Sequence, residues 1–476
     1  MKHINLTTPY LNLDPIFYDE VHPTPLKNPT LVSFNTDAAK LIGVAQDTLS
    51  PLELEELING STLFEGSRPY AMCYAGHQFG YFVPRLGDGR AINLGETNGW
   101  CLQLKGSGQT LYSRQGDGRA VLRSSIREYL MSEAMYALGI PTSRALAIIS
   151  SDEKVAREKW ERGAIVLRLA PSWIRFGSFE YFFHTNQHDK LQNLADFCIT
   201  QSYPQFLNQD DSYVKMYGEI VKRTAQMIAH WQSLGFNHGV MNTDNMSAIG
   251  ITIDYGPYAF LDTFESGYIC NHTDHEGRYS FDNQPRIGHW NLSQLGRSLS
   301  PLITQEKIER ELAKYGEYFT TTLMELLKNK LGLDALNEKD SDLFRSLFTA
   351  MENGRIDMTP FFRTLSRYDK DRTALLSFTL APNQLNEWLD LYDNRLKNNF
   401  STTNERHAKM IKTNPKYILK NYILQEAIDA AEQNDFTLTN DLLTLAQNPY
   451  DEHELFERYA GVTPMEHKNM KLSCSS

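Results

Sequence analysis

The sequence contains few cysteines, and none of them form a paired motif. Five cysteines are spread along 476 residues without a Cys-x-x-Cys pair: Cys73, Cys101, Cys198, Cys270 and Cys474. A zinc site built from thiolates and a disulfide-dense secreted scaffold both need closely spaced cysteines. Both classes are therefore excluded.

Long apolar segments are missing as well. The longest apolar run, Ala145 to Ile149, is far shorter than the roughly 18 residues that a membrane-spanning helix needs. The first residues include Asp14, Asp19 and Glu20 and show no apolar stretch, unlike a secretory signal or a transit peptide. We therefore expect a cytoplasmic protein that does not act at a membrane.

Basic residues are in the minority. Lys and Arg number 47 against 58 Asp and Glu, which gives a net charge of −11. Such a chain lacks the broad basic surface that nucleic-acid binding requires, so no nucleic-acid partner is expected. Hydrophobic residues make up 41% of the chain, enough for a sizeable core, and global disorder is excluded.

The hydrophobic patterns change from strand-like to helical along the chain. Residues 90–95 and 100–105 alternate like strands around Asn98-Gly99, a dipeptide typical of a hairpin. After this hairpin, the spacing predicts a strand over 164–169 and helices over 120–138, 212–235, 305–331 and 415–434.

This order of elements predicts an α+β fold with three parts. We expect a β-rich lobe over residues 1–170, a second lobe over 171–300 and a helical extension over 301–476.

A loop rich in Asn, Asp and Gly follows the helix predicted over 212–235. Residues 238–245 read HGVMNTDN, and Asp254-Tyr255-Gly256 follows. The side chains of Asn245 and Asp254 can both point at one cation across a tight turn, and such oxygen ligands suit Mg²⁺ held against phosphates. The same composition is typical of a turn that caps itself, so the residues alone leave both interpretations open.

The helix predicted over 120–138 carries a carboxylate that needs a partner. Glu128 lies on a face of this helix without a cation, so its partner must come from another element. Lys105, at the end of strand 100–105, is the candidate. A strand-end lysine is more often solvated, and Glu133, on the bulky apolar stripe, is a rival carboxylate.

The motif Gly-Asp-Gly-Arg occurs twice, at 87–90 and 116–119, on either side of Lys105. Glycines let backbone amides approach a phosphate closely, and an arginine adds a bidentate cation. One such motif is more often a turn, but two of them around a strand-end lysine favour a local anion site. Its candidate cations are Arg90, Lys105, Arg168 and Arg175.

Together these features resemble a protein kinase. A strand lysine, a glutamate on the next helix, a His-initiated loop ending in Asn and an Asp-x-Gly sequence occur in that order. Almost end to end, the chain is similar to the selenoprotein O family, kinase-like proteins that transfer AMP from ATP to protein hydroxyls. The resemblance rests on both GDGR motifs, Lys105-Gly-Ser-Gly, HGVMNTDN, DYGP and the ending Cys474-Ser-Ser. Cys474 stands where some members carry selenocysteine.

One departure from ordinary kinases bears on the reaction. His238 and Asn245 keep the spacing of the kinase H-R-D-L-x-x-x-N loop, but Val240 stands where the catalytic Asp would be. A valine cannot accept a proton from a substrate. The glycine-rich kinase pattern is also missing, so ordinary transfer of the γ-phosphate is disfavoured.

The resemblance implies a role for each candidate residue. Asp244 acts as general base, Glu128 orients Lys105, and Asn245 and Asp254 hold Mg²⁺ or Mn²⁺. ATP contacts are implied for Gly87, Gly89, Arg90, Lys105, Asp117, Gly118, Arg168, Arg175 and Asp254.

The implied reaction moves AMP from ATP, or UMP from UTP, to a Ser, Thr or Tyr hydroxyl of a protein and releases pyrophosphate. ATP lies reversed, so that its α-phosphate faces the nucleophile. Clustered arginines and a divalent metal would stabilise the departing pyrophosphate. An unorthodox kinase that uses Asp244 and a nucleotide-binding pseudokinase scaffold remain the alternatives.

Two cysteines suggest redox control. Cys270 lies downstream of Asp254, where kinase-like folds keep an activation loop, and Cys474 lies among serines near the end of the chain. An exposed tail thiol packs against nothing, which favours a reactive role. We predict that Cys270 and Cys474 pair; the alternative is two inert thiols. By contrast, we interpret Gly76–Gly80 (GHQFG) as a structural turn.

Overall fold

The structure, a computed structural model, describes residues 4–44, 50–468 and 470. It is a mixed α/β protein in which an antiparallel sheet comes first and helices follow. Its strands are β1 (Tyr18–Glu20), β2 (Thr30–Phe34), β3 (Tyr70–Met72), β4 (Gly76–Gln78), β5 (Tyr81–Val83), β6 (Ala91–Thr97), β7 (Trp100–Lys105), β8 (Ala120–Val121), β9 (Arg144–Ala156), β10 (Trp160–Ala170), β11 (Phe236–Asn237) and β12 (Ala259–Phe260).

The helices dominate the later two thirds of the chain. They are α1 (Thr36–Leu41), α2 (Pro51–Asn59), α3 (Leu122–Ala137), α4 (Phe176–His184), α5 (His188–Ser202), α6 (Ser212–Leu234), α7 (Gln284–Ser298), α8 (Gln305–Leu312), α9 (Tyr315–Lys330), α10 (Asp340–Gly354), α11 (Met358–Leu365), α12 (Thr373–Leu376), α13 (Pro382–Leu396), α14 (Thr403–Thr413), α15 (Asn421–Glu432) and α16 (Thr437–Gln447). Within the described ranges, no helix is long and apolar enough to cross a membrane.

The main sheet has the order β1-β3-β6-β7-β10-β9-β2, and β8 pairs with β10. The predicted hairpin is confirmed: β6 and β7 pair through Thr97 and Trp100, and both turn residues, Asn98 and Gly99, have positive φ angles of 52° and 76°. Two residues with positive φ are what a tight hairpin turn requires. The turn therefore fixes the register that ends β7 at Lys105.

Strand register brings the first site residues together. Gln103 of β7 lies opposite Arg168 of β10, and Lys105 follows two residues later on the same face of β7. The predicted strand over 164–169 is thus confirmed within the longer β10. Helix α3 confirms the helix predicted over 120–138 and packs on β9 and β10.

Two helix predictions need correction. Residues 305–331 form two helices, α8 and α9, instead of one. Because both helices pack on α6, their apolar residues face the same neighbour, and the helical spacing continues across the break. The helix predicted over 415–434 begins only at Asn421, because the amides of Lys416 and Tyr417 donate to the carbonyl of Pro449 at 2.8 and 3.0 Å.

The last helices return to the sheet. Helices α15 and α16 pack on α3, and Asn440 donates to the carbonyl of Val32 at 3.1 Å. Arg127 of α3, next to Glu128, donates to Asn421 Oδ1 at 2.9 Å. The C-terminal helices therefore support the helix that carries Glu128.

One buried lysine generates a prediction about stability. Lys330 Nζ lies 4.7 Å from the ring centroid of Phe362 and 3.5 Å from Asn414 Oδ1, and burial lowers its pKa from 10.5 to about 7. The unfolded chain binds this proton more readily, so the free energy of unfolding rises with pH between about 7 and 10. Lys330→Met should raise the melting temperature at pH 6, and the gain should shrink by pH 10.

The control for this prediction is Lys328→Met. Lys328 lies two residues away in the same helix and is paired with Glu325. Its substitution should shift the melting temperature little at either pH. An equal gain from Lys330→Met at pH 6 and pH 10 would contradict the prediction.

Candidate active site

A cleft of about 680 Å³ opens between the sheet and the loops that follow α6. Its volume lies in the range of small-molecule sites. Basic side chains line it: Arg90, Lys105, Arg114, Arg119, Arg157, Arg168 and Arg175. Fewer acidic side chains do so: Asp88, Asp117, Asp244 and Asp254. In an acidic protein, this cleft gathers the positive charge that an anionic ligand requires.

Lys105 occupies the centre of this cleft. Its Nζ lies 2.5 Å from Glu128 Oε2 of α3 and 3.1 Å from Asp254 Oδ1. Burial lowers the pKa of Lys105, and the charges of Glu128 and Asp254 oppose that shift. The rival carboxylate, Glu133, instead binds Arg144 at 2.9 and 2.6 Å. The structure therefore brings Lys105 together with Glu128 and not with Glu133.

Arg168 joins the same carboxylates from the neighbouring strand. Its Nη1 donates to Glu128 Oε1 and, at 2.7 Å, to Asp254 Oδ1, while Nη2 donates to Gln103 Oε1. The guanidinium also lies 4.5 Å from the ring centroid of Trp173. These contacts hold both terminal nitrogens of Arg168 and place its guanidinium near the Trp173 ring, so its orientation is set before a ligand binds.

Arg175 approaches from the start of α4. Its Nη1 donates to Asp254 Oδ2 and to the carbonyl of Asp244, both at 2.7 Å. Asp254 thus accepts hydrogen bonds from Lys105, Arg168 and Arg175. Burial alone would raise the pKa of Asp254, but these three charges hold it well below its ordinary value.

His238 joins the two parts of the loop. Its Nε2 lies 3.1 Å from the carbonyl oxygen of Asp254, and its ring stacks on Trp231 at a centroid distance of 5.1 Å. Burial lowers the pKa of His238 to about 4, so the ring is neutral at physiological pH. Its role is to hold the backbone at Asp254.

Asp244 and Asn245 lie on a short 3-10 turn, Thr243–Asn245. Asp244 Oδ2 accepts from Gln78 Nε2 at 3.2 Å, and burial raises the pKa of Asp244 to about 6. Asn245 Nδ2 donates to the carbonyl of Val240 at 3.1 Å, which orients its Oδ1 away from that contact. Both residues line the cleft, as Val240 does.

The first GDGR motif does not present free backbone amides to a phosphate, as its glycines had suggested. The amides of Gly87 and Gly89 donate to the carbonyls of Tyr74 and Gly87 at 3.1 and 2.9 Å, so they already have partners inside the chain. Asp88 is buried and accepts from the amide of Met72 at 3.0 Å. The motif therefore offers the cleft its glycine surface and the exposed Arg90, not free amides.

The second GDGR motif holds another arginine. Asp117 binds Arg157 through two contacts of 2.7 and 3.0 Å, and both line the cleft. A Cβ on Gly118 would lie 2.1 Å from the carbonyl carbon of Gly108, so only glycine fits there. The side chain of Arg119 donates to the carbonyl of Thr24 at 2.5 Å and so stabilises the loop.

The sequence reasoning missed several residues that line the cleft, among them Arg114, Arg157 and Gln78. Arg157 lies in no motif and has no local signal. Gln78 lies in Gly76–Gly80, which we interpreted as a structural turn. That interpretation is incomplete, because Gln78 contacts Asp244 directly.

Comparison with known proteins identifies the family. A family model described as protein adenylyltransferase SelO matches residues 1–447. The chain belongs to the SelO family. Similar relatives include the protein nucleotidyltransferase YdiU of Myxococcus xanthus (strain DK1622), 45% identical, with 100% of this chain and 99% of the relative covered. YdiU of Aliivibrio fischeri (strain ATCC 700601 / ES114) is 47% identical, with 99% of each chain covered.

Of the two cysteines that we predict to pair in this SelO family member, only Cys270 lies among the described residues. Cys270 is buried and donates to Asn237 Oδ1 at 2.9 Å and to the carbonyl of Pro257 at 2.7 Å. Burial raises the pKa of its thiol, which disfavours the thiolate. Cys474 lies outside the described residues. The pairing of Cys270 with Cys474 stays a prediction.

Glu128 and Glu133 of α3 should differ in their effect on activity rather than on stability. Glu128→Gln removes a charge that holds Lys105 and Arg168, so we expect nucleotide transfer to fall about 10-fold or more. Glu133→Gln removes the partner of Arg144, away from the cleft, and should leave transfer by the folded protein near the wild-type rate. Both variants break a buried ion pair, so each should lower the free energy of unfolding by about 3 kcal/mol. Label transfer and denaturant unfolding measure the two effects, and a loss of transfer confined to Glu133→Gln would contradict the assignment.

Proposed function

We propose that the protein transfers AMP from ATP to a Ser, Thr or Tyr hydroxyl of a protein and releases pyrophosphate. The observation that carries this proposal is the cluster of Lys105, Arg168 and Arg175 around Asp254, in a cleft that Val240 and Asp244 also line. Membership in a family of protein adenylyltransferases supports the same chemistry.

The proposal extends to the architecture. A kinase-like arrangement would place the sheet in a nucleotide-binding lobe over residues 1–170 and the loops with Asp244 and Asp254 in a second lobe over 171–300. Residues 301–476 would form a helical extension. The Lys105–Glu128 pair between a strand and a helix supports this division, as it does in protein kinases.

For the nucleotide, we propose a set of contacts drawn from the cleft. The set comprises Gly87, Gly89, Arg90, Lys105, Asp117, Gly118, Arg168, Arg175 and Asp254. All of these line one continuous space, which supports a single ligand rather than several. A reversed nucleotide would place its α-phosphate toward Asp244.

The donor set fits a divalent metal. Among the described residues, no group of three or more His, Cys, Asp or Glu could hold a metal ion alone, so phosphate oxygens would have to complete the site. Asp254 uses three of its roughly four lone-pair positions for cations, which leaves one on Oδ2. Asn245 Oδ1 and Asp254 Oδ2 would hold Mg²⁺ or Mn²⁺, which supplies Lewis-acid stabilisation of phosphate charge when bound.

The protein's own residues account for the remaining chemistry. Lys105, Arg168 and Arg175 neutralise the phosphates and stabilise the charge that builds on departing pyrophosphate. Asp244, which is buried and lines the same cleft, accepts the proton of the attacking hydroxyl. Val240 offers no acceptor at the position used in kinases, so proton transfer depends on Asp244.

The fate of a radioactive label tests the proposed function. ATP labelled at the α-phosphate should label protein, whereas ATP labelled at the γ-phosphate should not. The measurement is label on protein after denaturing electrophoresis, with Mg²⁺ or Mn²⁺ present and α-labelled UTP run alongside. Label from the γ-position alone would establish a kinase, and bound nucleotide without any label would establish a scaffold.

Removing one proposed metal ligand should abolish most transfer. Asp254→Asn keeps the size of the side chain but loses a charged metal ligand, so we expect at least about a 100-fold fall in transfer. Asp189→Asn, in an exposed position on α5, is the matched control and should behave like wild type. Near wild-type transfer by Asp254→Asn across a metal titration would disprove the ligand assignment.

A further inference from the structure

The hairpin formed by β4 and β5, residues 76–83, lies directly against the loop that carries Asp244. Three consecutive residues of that loop contact it. The amide of His77 donates to Thr243 Oγ1 at 2.7 Å, and the amide of Phe79 donates to Asn242 Oδ1 at 3.3 Å. The backbone of the hairpin is therefore bound to the side chains of the two residues that precede Asp244.

A buried carboxylate anchors this contact. Thr243 Oγ1 donates to Glu180 Oε2 of α4 at 2.9 Å, and His77 Nδ1 lies 3.2 Å from the same oxygen. Glu180 is fully buried. Because Glu180, Thr243 and His77 form one connected network, the hairpin and the loop are held in a single relative position.

Gly76 adds a steric constraint. A Cβ at this position would lie 2.7 Å from Asp244 Oδ1 and 2.9 Å from Asp244 Cβ. Gly76 has no positive φ, so closeness to Asp244 is the reason that a side chain does not fit. Asp244 Oδ1 is buried beneath it without a hydrogen-bond partner among the residues that the structure describes.

The other oxygen of the same carboxylate is held differently. Asp244 Oδ2 accepts a hydrogen bond from Gln78 Nε2 at 3.2 Å, and Gln78 and Asp244 both line the cleft. One oxygen is thus covered by the hairpin backbone, and the second is oriented by the hairpin side chain. Such fixed orientation is what a proton acceptor needs, since misplacement of about 1 Å can cost 100-fold in rate.

We propose that Gln78 is a positioning residue that orients Asp244 toward the hydroxyl of the acceptor protein, with hairpin 76–83 as its support. This proposal rests on the proposed function. In the step concerned, the hydroxyl oxygen bonds to the α-phosphorus, the bond from that phosphorus to the pyrophosphate oxygen breaks, and the proton passes to Asp244 Oδ2. Gln78 transfers nothing and acts through Asp244.

The test measures rate and affinity separately. Gln78→Leu keeps a similar volume but cannot donate a hydrogen bond, so kcat for α-label transfer should fall about 10- to 100-fold. KM for ATP and the melting temperature should stay at wild-type values. Dephosphorylated casein serves as acceptor, and self-labelling is measured in parallel. Tyr81→Ser, at the exposed tip of the same hairpin, should leave kcat unchanged.

A double-mutant cycle shows whether Gln78 acts through Asp244. In an Asp244→Ala background, adding Gln78→Leu should cause no further loss, whereas a role elsewhere would lower the rate again by the same factor. Gly76→Ala supplies an independent route, because its Cβ would displace Asp244 and should lower kcat without raising KM for ATP.

Three results would overturn the role of Gln78. They are an unchanged kcat in Gln78→Leu, a loss that persists in the Asp244→Ala background, and a wild-type rate in Gly76→Ala. Failure of the proposed function would look different, since wild-type protein would then transfer no α-label to casein or to itself.

Discussion

The site depends on one carboxylate that three cations share. Asp254 accepts hydrogen bonds from Lys105 on β7, Arg168 on β10 and Arg175 at the start of α4. Each cation alone would be costly to bury, and together they would repel one another. Asp254 and Glu128 compensate that charge. The need to pair these buried charges therefore holds β7, β10, α3 and the loop that carries Asp254 in one arrangement.

The sequence predicted those parts of the fold and site that have a local signature. Asn98-Gly99 indicated the hairpin that ends β7 at Lys105, and helical spacing indicated that Glu128 needed a cation from elsewhere. The features that the sequence did not predict depend on contacts between residues that lie far apart in the chain. Gln78 and Asp244 are 166 residues apart, and no periodicity or motif connects them. The break between α8 and α9 was missed because both helices face α6.

The two GDGR motifs have the same four residues but make different contacts in the structure. Both GDGR motifs end in arginine, yet Arg90 is exposed at the cleft while Arg119 binds the carbonyl of Thr24. Their acidic residues differ as well: Asp88 is buried against Met72, and Asp117 binds Arg157. The surroundings of each motif, rather than its four letters, decide which side chain reaches a ligand.

The packing of the last helices on α3 bears on how the molecule is made. Helices α15 and α16 cover the helix that carries Glu128, and Asn421 binds Arg127 beside it. During synthesis, the face of α3 that they cover stays in contact with water until residues 421–447 have left the ribosome. The layer of helix on sheet behind the cleft is therefore completed only after residues 421–447 have been made, so maturation of this site waits for helices that lie far downstream of the strands that form it.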